Sequence, residues 1–315
     1  MRRKVVKHGS STLTISMPSK WVKAHSIKAG DELEVLENKG QLIIRVDKEV
    51  ERPEVVELNI EDLGFLTAIK ALSALYKSGC DSILVHFNEP EKISWIETVI
   101  PELVGFEIMS QSEHSCLIKE VSRPANDTDT EELIKRIFLL IISIADDMLK
   151  NSTQAPKIIN NVVWRDKQIN KFCNLCRRVL NKRGVLIAKE VTIVYYIVDI
   201  LEKIADEYKD LGKYLVKNKI IISNGKIISI FNSVNNFIRE FFSLYFKFNL
   251  KNCRELCEKI WNKIEEIGEL YSKLKEGKET RICTHLHKIA EHLLNMLGPL
   301  MTMRLPPILS PKSQI

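Results

Sequence analysis

The sequence predicts a multidomain protein in which a strand-rich N-terminal segment and a small central α/β segment precede an all-α C-terminal part. Three patterns predict this order. Apolar and polar residues alternate near the N-terminus, strand and helix patterns alternate in the middle, and helical periodicity dominates the remainder. Charged or proline-containing stretches separate the three patterns. The expected boundaries are residues 1–48, 55–122 and 130–303, followed by a proline-containing tail, 304–315, that we expect to be disordered.

Charge follows the same division. Residues 1–28 carry seven Lys or Arg and no acid, residues 49–129 carry 6 basic and 16 acidic residues, and residues 130–315 carry 31 basic and 20 acidic residues. The net charge of +6 therefore hides two basic ends around an acidic middle. Basic ends suit a polyanionic partner, although helical proteins also carry solvated lysines that bind nothing.

The sequence argues against several classes of protein. The longest apolar run, Ile137–Ala145, is too short to span a bilayer, and no apolar stretch follows the basic start. We therefore expect no membrane insertion, and we expect the seven scattered cysteines to be reduced thiols in a cytoplasm. No glycine-rich phosphate loop, Ser/His/Asp arrangement or His-Glu-x-x-His motif occurs, so we expect neither an enzyme nor an organic cofactor.

Two cysteine pairs could suggest a metal. Cys173 with Cys176, and Cys253 with Cys257, each place both thiols on one helical face. Because that face is also the apolar one, small buried side chains are the favoured interpretation, and a four-cysteine zinc site is the alternative.

The first 48 residues are predicted to form short strands around one short helix. Leu13, Ile15 and Met17 alternate with polar residues, which is the pattern of a half-buried strand. Pro18 stands where a helix can begin, and Asn38-Lys39-Gly40 marks a hairpin bend. A segment this small buries little apolar surface alone, so we expect a partner chain.

Motifs of this segment resemble, in order, the SpoVT/AbrB-type swapped-hairpin domain. They are Arg3-Lys4-Val5, Gly9-Ser10-Ser11-Thr12, Ile15-Ser16-Met17-Pro18, Trp21-Val22 and Lys28-Ala29-Gly30-Asp31. The resemblance implies an intertwined homodimer, a swapped-hairpin β-barrel, that binds DNA through basic residues near the N-terminus. The matching positions are Arg2, Arg3, Lys4 and Lys7, with His8, Lys20 and Lys23 as further candidates. The alternative is that these side chains only keep a dimerisation module soluble.

The central segment is predicted to be a small α/β layer with its helices on one face. Strands are expected at Val55–Leu58, Ser82–Phe87, Phe106–Ser110 and Ser115–Val121. The first helix should end at Gly79, and Pro101 should bend or break the second. The segment shows no cluster of catalytic residue types.

Two three-helix repeats are predicted after residue 130. The expected helices are roughly 130–150, 157–182, 189–218, 227–248, 251–276 and 279–303. Glu202 and Asp206, four residues apart, share one face of the third helix. His287 and Glu291 stand at matching angles from the apolar arc of the sixth helix, which indicates the repeat.

The helical half resembles PhoU-type phosphate-uptake regulators. The motifs that carry the resemblance are Val163-Trp164-Arg165-Asp166, Ile169-Asn170, Leu201-Glu202-Lys203-Ile204-Ala205-Asp206 and Ile289-Ala290-Glu291. The order of all three segments fits the archaeal form of that family, in which a swapped-hairpin domain precedes the helical bundle. The resemblance implies negative control of phosphate uptake.

The same resemblance implies metal binding through acidic motifs, one in each repeat. Asp166, Glu202 and Asp206 match the motif of the first repeat, and carboxylates from two neighbouring helices can bridge iron, zinc or magnesium. The alternative is that these acids form surface ion pairs with Lys209 and Lys213.

The second repeat departs from the metal-binding pattern. His287 replaces the expected glutamate, and Trp261-Asn262-Lys263 stands where the paired acid belongs. His287 and Glu291 therefore form a weaker candidate site, without an evident third ligand.

These inferences predict a cytoplasmic, phosphate-responsive transcriptional regulator that forms a homodimer and binds DNA. Two rival predictions stay open. In the first, the protein is an adaptor that acts on a component of a phosphate transporter without binding DNA. In the second, it is a metal-binding or storage protein whose carboxylate sites are its main activity.

Overall fold

The computed structural model describes residues 2–38, 41–46, 55–122, 129–154, 159–183, 188–274 and 277–309. The chain divides into two compact units, Met1–Glu54 and Val55–Ile315. The predicted linker at 48–54, and most of the one at 124–130, lie outside the described residues. The second unit contains both the α/β segment and the helices, so the segments predicted at 55–122 and 130–303 pack as one body.

The first unit consists of two hairpins and a short helix. Its elements are β1 (Val5–His8), β2 (Thr12–Ile15), α1 (Ser19–Ala24), β3 (Leu33–Asn38) and β4 (Gln41–Val46). β1 pairs antiparallel with β2, and β3 with β4, which gives two separate two-stranded sheets. Gly9, with φ of 73°, allows the turn between β1 and β2. The swapped-hairpin barrel that we predict would need the strands of a second chain.

The α/β layer follows the predicted order of elements. They are β5 (Val56–Asn59), α2 (Phe65–Ser78), β6 (Ser82–His86), α3 (Ile93–Val99), β7 (Phe106–Gln111) and β8 (Ser115–Glu120). The strand order is β5-β6-β8-β7, with β5 and β6 parallel and the other neighbours antiparallel. Gly79 ends α2 with φ of 96°, and Pro101 converts the end of α3 into a 3-10 turn, Ile100–Glu102. Both predicted breaks are confirmed.

Helices make up the described part of the chain after residue 129. They are α4 (Thr130–Gln154), α5 (Ile159–Arg183), α6 (Ala188–Lys217), α7 (Gly225–Phe246), α8 (Leu250–Lys273) and α9 (Lys278–Leu309). α4, α5 and α6 pack on one another, as do α7, α8 and α9. Contacts of α6 with α9 and of α4 with α7 join the two groups. The predicted pair of three-helix repeats is confirmed.

Apolar side chains from all six helices form one continuous core. Cys173, Cys176 and Cys253 are buried in it as thiols, not disulfides, and Cys257 is partly buried against it. Burial raises the pKa of the Cys173 thiol well above its ordinary value. The cysteines are therefore small core residues, as the apolar character of their helical faces predicts.

The C-terminal end corrects one prediction. We expect disorder from residue 304, but α9 continues to Leu309. Arg304 provides the physical reason: its guanidinium donates a hydrogen bond to the Tyr245 carbonyl at 3.3 Å and lies over the Tyr245 ring. These contacts with α7 favour the helical turn that Pro306 and Pro307 would otherwise disfavour. Residues 310–315 lie outside the described residues.

A buried arginine joins the α/β layer to the helices. Arg178 on α5 is 1% exposed and donates hydrogen bonds to the carbonyls of Tyr76 and Cys80, at 2.8 and 2.7 Å. It also pairs with Asp81 and Glu120, at 2.5 and 3.0 Å. These partners lie at the C-terminal end of α2, just beyond it, and at the end of β8, so the α/β layer is attached to α5 by charge as well as by packing.

Candidate functional site

A basic surface surrounds the start of the first unit. Its members are exposed basic residues that the sequence predicts to contact DNA: Arg2, Arg3 and Lys4 before β1, Lys7 and His8 in β1, and Lys20 and Lys23 on α1. Because residues 2–28 contain no acid, no carboxylate from this stretch offsets the charge. Such a surface can contact phosphate groups of a nucleic acid without reading its sequence.

Local structure holds the two parts of this surface. The hairpin of β1 and β2 presents Lys7 and His8 next to the Gly9 turn. α1 begins after Pro18 and is followed by the capping residue His25, whose ring lies 5.2 Å from that of Trp21. Lys20 and Lys23 are three residues apart, so they project from the same side of α1.

The strands of the first unit carry exposed apolar side chains. They are Val5, Val6, Leu13, Ile15, Val35, Leu42 and Ile44. Apolar side chains at this density on short strands are typical of a surface that another chain covers. The predicted homodimer would supply such a chain.

The carboxylates predicted to bind a metal lie on α5 and α6. Asp166 is 3% exposed, and its Oδ2 atom accepts a hydrogen bond from Lys209 Nζ at 3.0 Å. Lys209 also pairs with Asp206. The structure therefore places Asp166 and Asp206 against one ammonium group. This arrangement matches the alternative in which the acids form ion pairs with lysine.

Glu202 belongs to a different ion pair. Its Oε2 atom lies 2.5 Å from Arg177 Nη1, and Arg177 also reaches Asp199 at 3.1 Å. Arg177 is buried, so this pairing uses both carboxylates to satisfy a charge removed from water. The three predicted ligands thus divide between two basic residues.

Glu102 extends this acidic face from the α/β layer, and local sequence patterns do not reveal it. It lies on the 3-10 turn that contacts α5. Burial raises the pKa of Glu102, and the nearby charges of Asp166 and Glu202 raise it further. The carboxylates are therefore close enough to repel one another, although they are far apart in sequence.

Burial also dominates at Asp166. It raises the pKa of the Asp166 carboxyl, and the Lys209 ammonium only partly offsets this. At Lys209 burial opposes the charge, but hydrogen bonds to Asp206 and Asp166 outweigh it and raise the pKa to about 12. A raised pKa at Asp166 is compatible with a raised pKa at Lys209. The two acids share one ammonium, and Asp166 is the more buried of the two, so burial has the larger effect on its pKa.

This arrangement does not favour a metal at the predicted ligands. In the described residues, no group of three or more His, Cys, Asp or Glu side chains is placed to hold a metal ion. Lys209 stands between Asp166 and Asp206, and Arg177 occupies Glu202. One observation points the other way: Asp166 Oδ1 is buried without a hydrogen-bond partner in the described parts of the chain. The metal stays a prediction.

The matching face of the second repeat is simpler. His287 Nδ1 lies 3.3 Å from Glu291 Oε2, within one helix. Lys263 pairs with Glu266 at 2.5 Å, and the Trp261 indole donates to Glu265 at 3.0 Å. His287 and Glu291 form a local pair within α9, and Trp261 and Lys263 form their own pairs within α8.

Arg177 and Arg178 make the main contacts that the sequence interpretation misses. The sequence contained a sign that Arg177 is buried. It stands four residues after Cys173 and so lies on the apolar arc of α5. A basic residue at a core position indicates a buried ion pair. The partners of these arginines could not be named from the sequence. Those of Arg178, for example, are Asp81 and Glu120, which are 97 and 58 residues away.

Comparison with known proteins gives two likenesses. Residues 6–52 match the family model for antidote-toxin recognition MazE, bacterial antitoxin. This match bears out the predicted AbrB-like relationship of the first unit. The structure is similar to the crystal structure of the phosphate transport system regulatory protein PhoU from Streptococcus pneumoniae, with 13% sequence identity, a TM-score of 0.41, and coverage of 56% of this chain and 95% of that one. Among curated proteins, none matches this chain.

Helix length and hydropathy bear on membrane insertion. No helix in the described ranges is long and apolar enough to cross a membrane.

Proposed function

We propose that the chain is a homodimeric, DNA-binding transcriptional regulator that responds to phosphate and restrains phosphate uptake. The observation that carries the DNA part is the set of exposed basic residues in the stretch 2–28, which contains no acid. The similarity of residues 6–52 to bacterial MazE antitoxins supports a regulatory role for the same unit.

Charge gives this surface its physical role. Each lysine or arginine that contacts a DNA phosphate releases condensed counterions, which favours binding at low salt. A homodimer brings two copies of the surface to one duplex and doubles the number of contacts. Affinity without base contacts is independent of sequence, so choice of a promoter would need further side chains that reach the grooves.

The phosphate part of the proposal rests on the sequence resemblance of the motifs around Asp166, Glu202 and Asp206 to PhoU-type regulators. In this proposal the six-helix part receives the phosphate signal, and the first unit delivers it to DNA. Negative control means that the regulator occupies transporter promoters when phosphate is abundant.

The DNA part is tested by fluorescence anisotropy with the full chain and labelled duplexes of several sequences. Replacing Arg2, Arg3 and Lys4 together by Ala should weaken binding at least about tenfold on every sequence. It should also make the plot of log affinity against log salt less steep, with the slope changing by roughly one for each phosphate that the variant no longer neutralises.

A matched control removes the same number of exposed charges from the other unit. Lys251, Arg254 and Lys273 are exposed on α8, and each forms an ion pair with an acid of the same helix. Their replacement by Ala should leave affinity unchanged. Equal losses in both triple variants would move the DNA surface to the helices, and undiminished binding by the first variant would reject the proposed contacts.

The phosphate part is tested in cells. Chromatin pull-down of the tagged protein should recover phosphate-transporter promoters from phosphate-rich cultures and less of them from phosphate-starved cultures. Equal recovery in both media would separate DNA binding from a phosphate response.

One observation favours the adaptor as a second candidate. Trp164 on α5 and Trp261 on α8 are both exposed, and each lies on the second helix of its repeat. Exposed tryptophans are enriched in protein interfaces. An adaptor would bind a transporter component through such residues and would not show salt-dependent DNA binding. Replacing both by Ala should abolish transporter binding in that case and leave DNA affinity unchanged under the main proposal.

A further inference from the structure

The face of the first repeat that carries the acidic motif already contains cations of its own. Lys209 Nζ lies 3.0 Å from Asp166 Oδ2 and pairs with Asp206. Its position bridges α5 and α6, which is where a metal held by these two acids would have to lie. The ammonium and the metal would therefore compete for one place.

The neighbouring acids are paired in the same way. Arg177 lies 2.5 Å from Glu202 and 3.1 Å from Asp199, and Lys203 lies 2.8 Å from Asp199. A divalent ion entering this face would have to displace at least one buried or half-buried cation. Displacement would leave that cation without its partner in a medium of low dielectric, which is unfavourable.

Lys209 is more buried than the neighbouring Lys213, and its ion pairs are closer. Its side chain is largely buried, whereas Lys213, one turn further along α6, is more than half exposed and reaches Asp210 only at 3.8 Å. The two lysines lie on the same flank of α6, yet Lys209 is the one whose ion pairs span both helices. This difference supplies a matched pair for experiment.

We propose that the ammonium group of Lys209 is the resident cation of the Asp166–Asp206 cluster, and that this chain joins α5 to α6 with a tethered charge instead of a metal ion. The acidic motif is then a structural element of the first repeat. The inference does not depend on the proposed function, because a regulator or an adaptor could contain either kind of cation.

Metal uptake is the first test. The full chain, purified without chelator, should contain no stoichiometric iron, zinc, magnesium or manganese by elemental analysis. Its Tm should not change when manganese(II) chloride is added, because an ion that does not bind the folded state does not stabilise it. Stoichiometric metal, or a manganese-dependent rise in Tm, that is lost in Asp166→Asn would overturn the proposal and give the orphan Asp166 Oδ1 atom a metal partner.

Replacement of the ammonium is the second test. Lys209→Met removes the charge and keeps most of the side-chain volume, so it should lower Tm by roughly 5–15 °C, since a buried carboxylate loses its partner. Lys213→Met should change Tm by less than about 2 °C. Equal small effects of the two changes would mean that the ion pairs of Lys209 stabilise the fold no more than those of exposed Lys213, and would reject the proposal.

A double variant distinguishes loss of the cation from loss of packing. Lys209→Met combined with Asp166→Asn removes both the ammonium and the buried charge that it neutralises. Its Tm should lie above that of Lys209→Met alone, because no uncompensated carboxylate remains. If the two changes instead lower Tm additively, the residues do not act as a pair, and the proposal is wrong.

Discussion

At the scale of single residues, two buried arginines connect elements of the second unit through ion pairs. Arg177 and Arg178 are adjacent on α5 but point to different partners: Arg177 to the acids of α6, and Arg178 to the α/β layer. Arg178 also lies over the rings of Tyr76 and Phe106, at 4.8 and 5.0 Å from the centroids. A planar guanidinium can make all of these contacts at once, which lysine cannot.

Replacing Arg178 by Met should therefore strongly destabilise the second unit. We expect a loss of about 3–5 kcal/mol in the free energy of unfolding, because Asp81, Glu120 and two backbone carbonyls lose a buried donor. Urea unfolding followed by helical circular dichroism measures the loss.

Lys182 provides the control, since it pairs with the same two acids from a more exposed position. Lys182→Met should cost less than about 1 kcal/mol. If both changes cost the same, the burial of Arg178 is not what makes its contacts matter.

At the scale of secondary-structure elements, the seam between α6 and α9 joins the two repeats. Buried His285 on α9 places Nδ1 2.6 Å from Glu207 Oε2 on α6, and Lys288 lies 3.1 Å from Glu207 Oε1. Burial would raise the pKa of Glu207, but the hydrogen bonds with His285 and Lys288 outweigh burial and hold the pKa below its ordinary value.

The seam predicts a pH dependence with a definite sign. A carboxyl whose pKa is lowered on folding contributes stability above its unfolded pKa of about 4.3 and loses that contribution as pH falls through the folded value. Glu207→Gln should thus lower the free energy of unfolding by about 1–3 kcal/mol at pH 7, and the gap between parent and variant should narrow only below about pH 4.

Thermal unfolding of parent and variant between about pH 3.5 and pH 8 measures this gap, because that range extends on both sides of the unfolded pKa. Glu240→Gln is the control, because its partner Lys259 is exposed, and it should have little effect at any pH. A gap that is constant down to the lowest pH would show that Glu207 acts through packing and not through its charge.

The sequence predicted elements far better than their contacts. Helical periodicity located the six helices because each buries an apolar arc, and glycine and proline located the breaks at Gly79 and Pro101. It failed at Arg304, where a tertiary contact extends α9 past the predicted end. The acidic motif was visible, but the roles of Glu102 and Arg177 depend on packing between distant segments, which local patterns do not encode.

At the scale of the whole molecule, the two units differ in how far their apolar side chains are buried. The second unit buries its apolar arcs in its own core, whereas the strands of the first unit expose Leu13 and Leu42, each 69% exposed. We expect the full chain to be a dimer held together through these strands.

Replacing Leu13 and Leu42 together by Asp should therefore shift the full chain from dimer to monomer, because charged side chains oppose burial at an interface. Light scattering measures the mass of the particle directly. Leu66→Asp is the control: this leucine is 70% exposed on α2, in the other unit, and its change should leave the dimer intact. A parent chain that is already monomeric would reject the swapped-hairpin assembly.

The exposed strands of the first unit also have a consequence for gene dosage. Under the proposed function, if two chains must meet before these strands are covered, the concentration of the DNA-binding dimer rises with the square of subunit concentration when subunits are scarce. Halving synthesis would then reduce promoter occupancy by about fourfold, and doubling it again would restore the occupancy. A cell could adjust the regulator sharply through the number of copies it makes, without changing any side chain that contacts DNA.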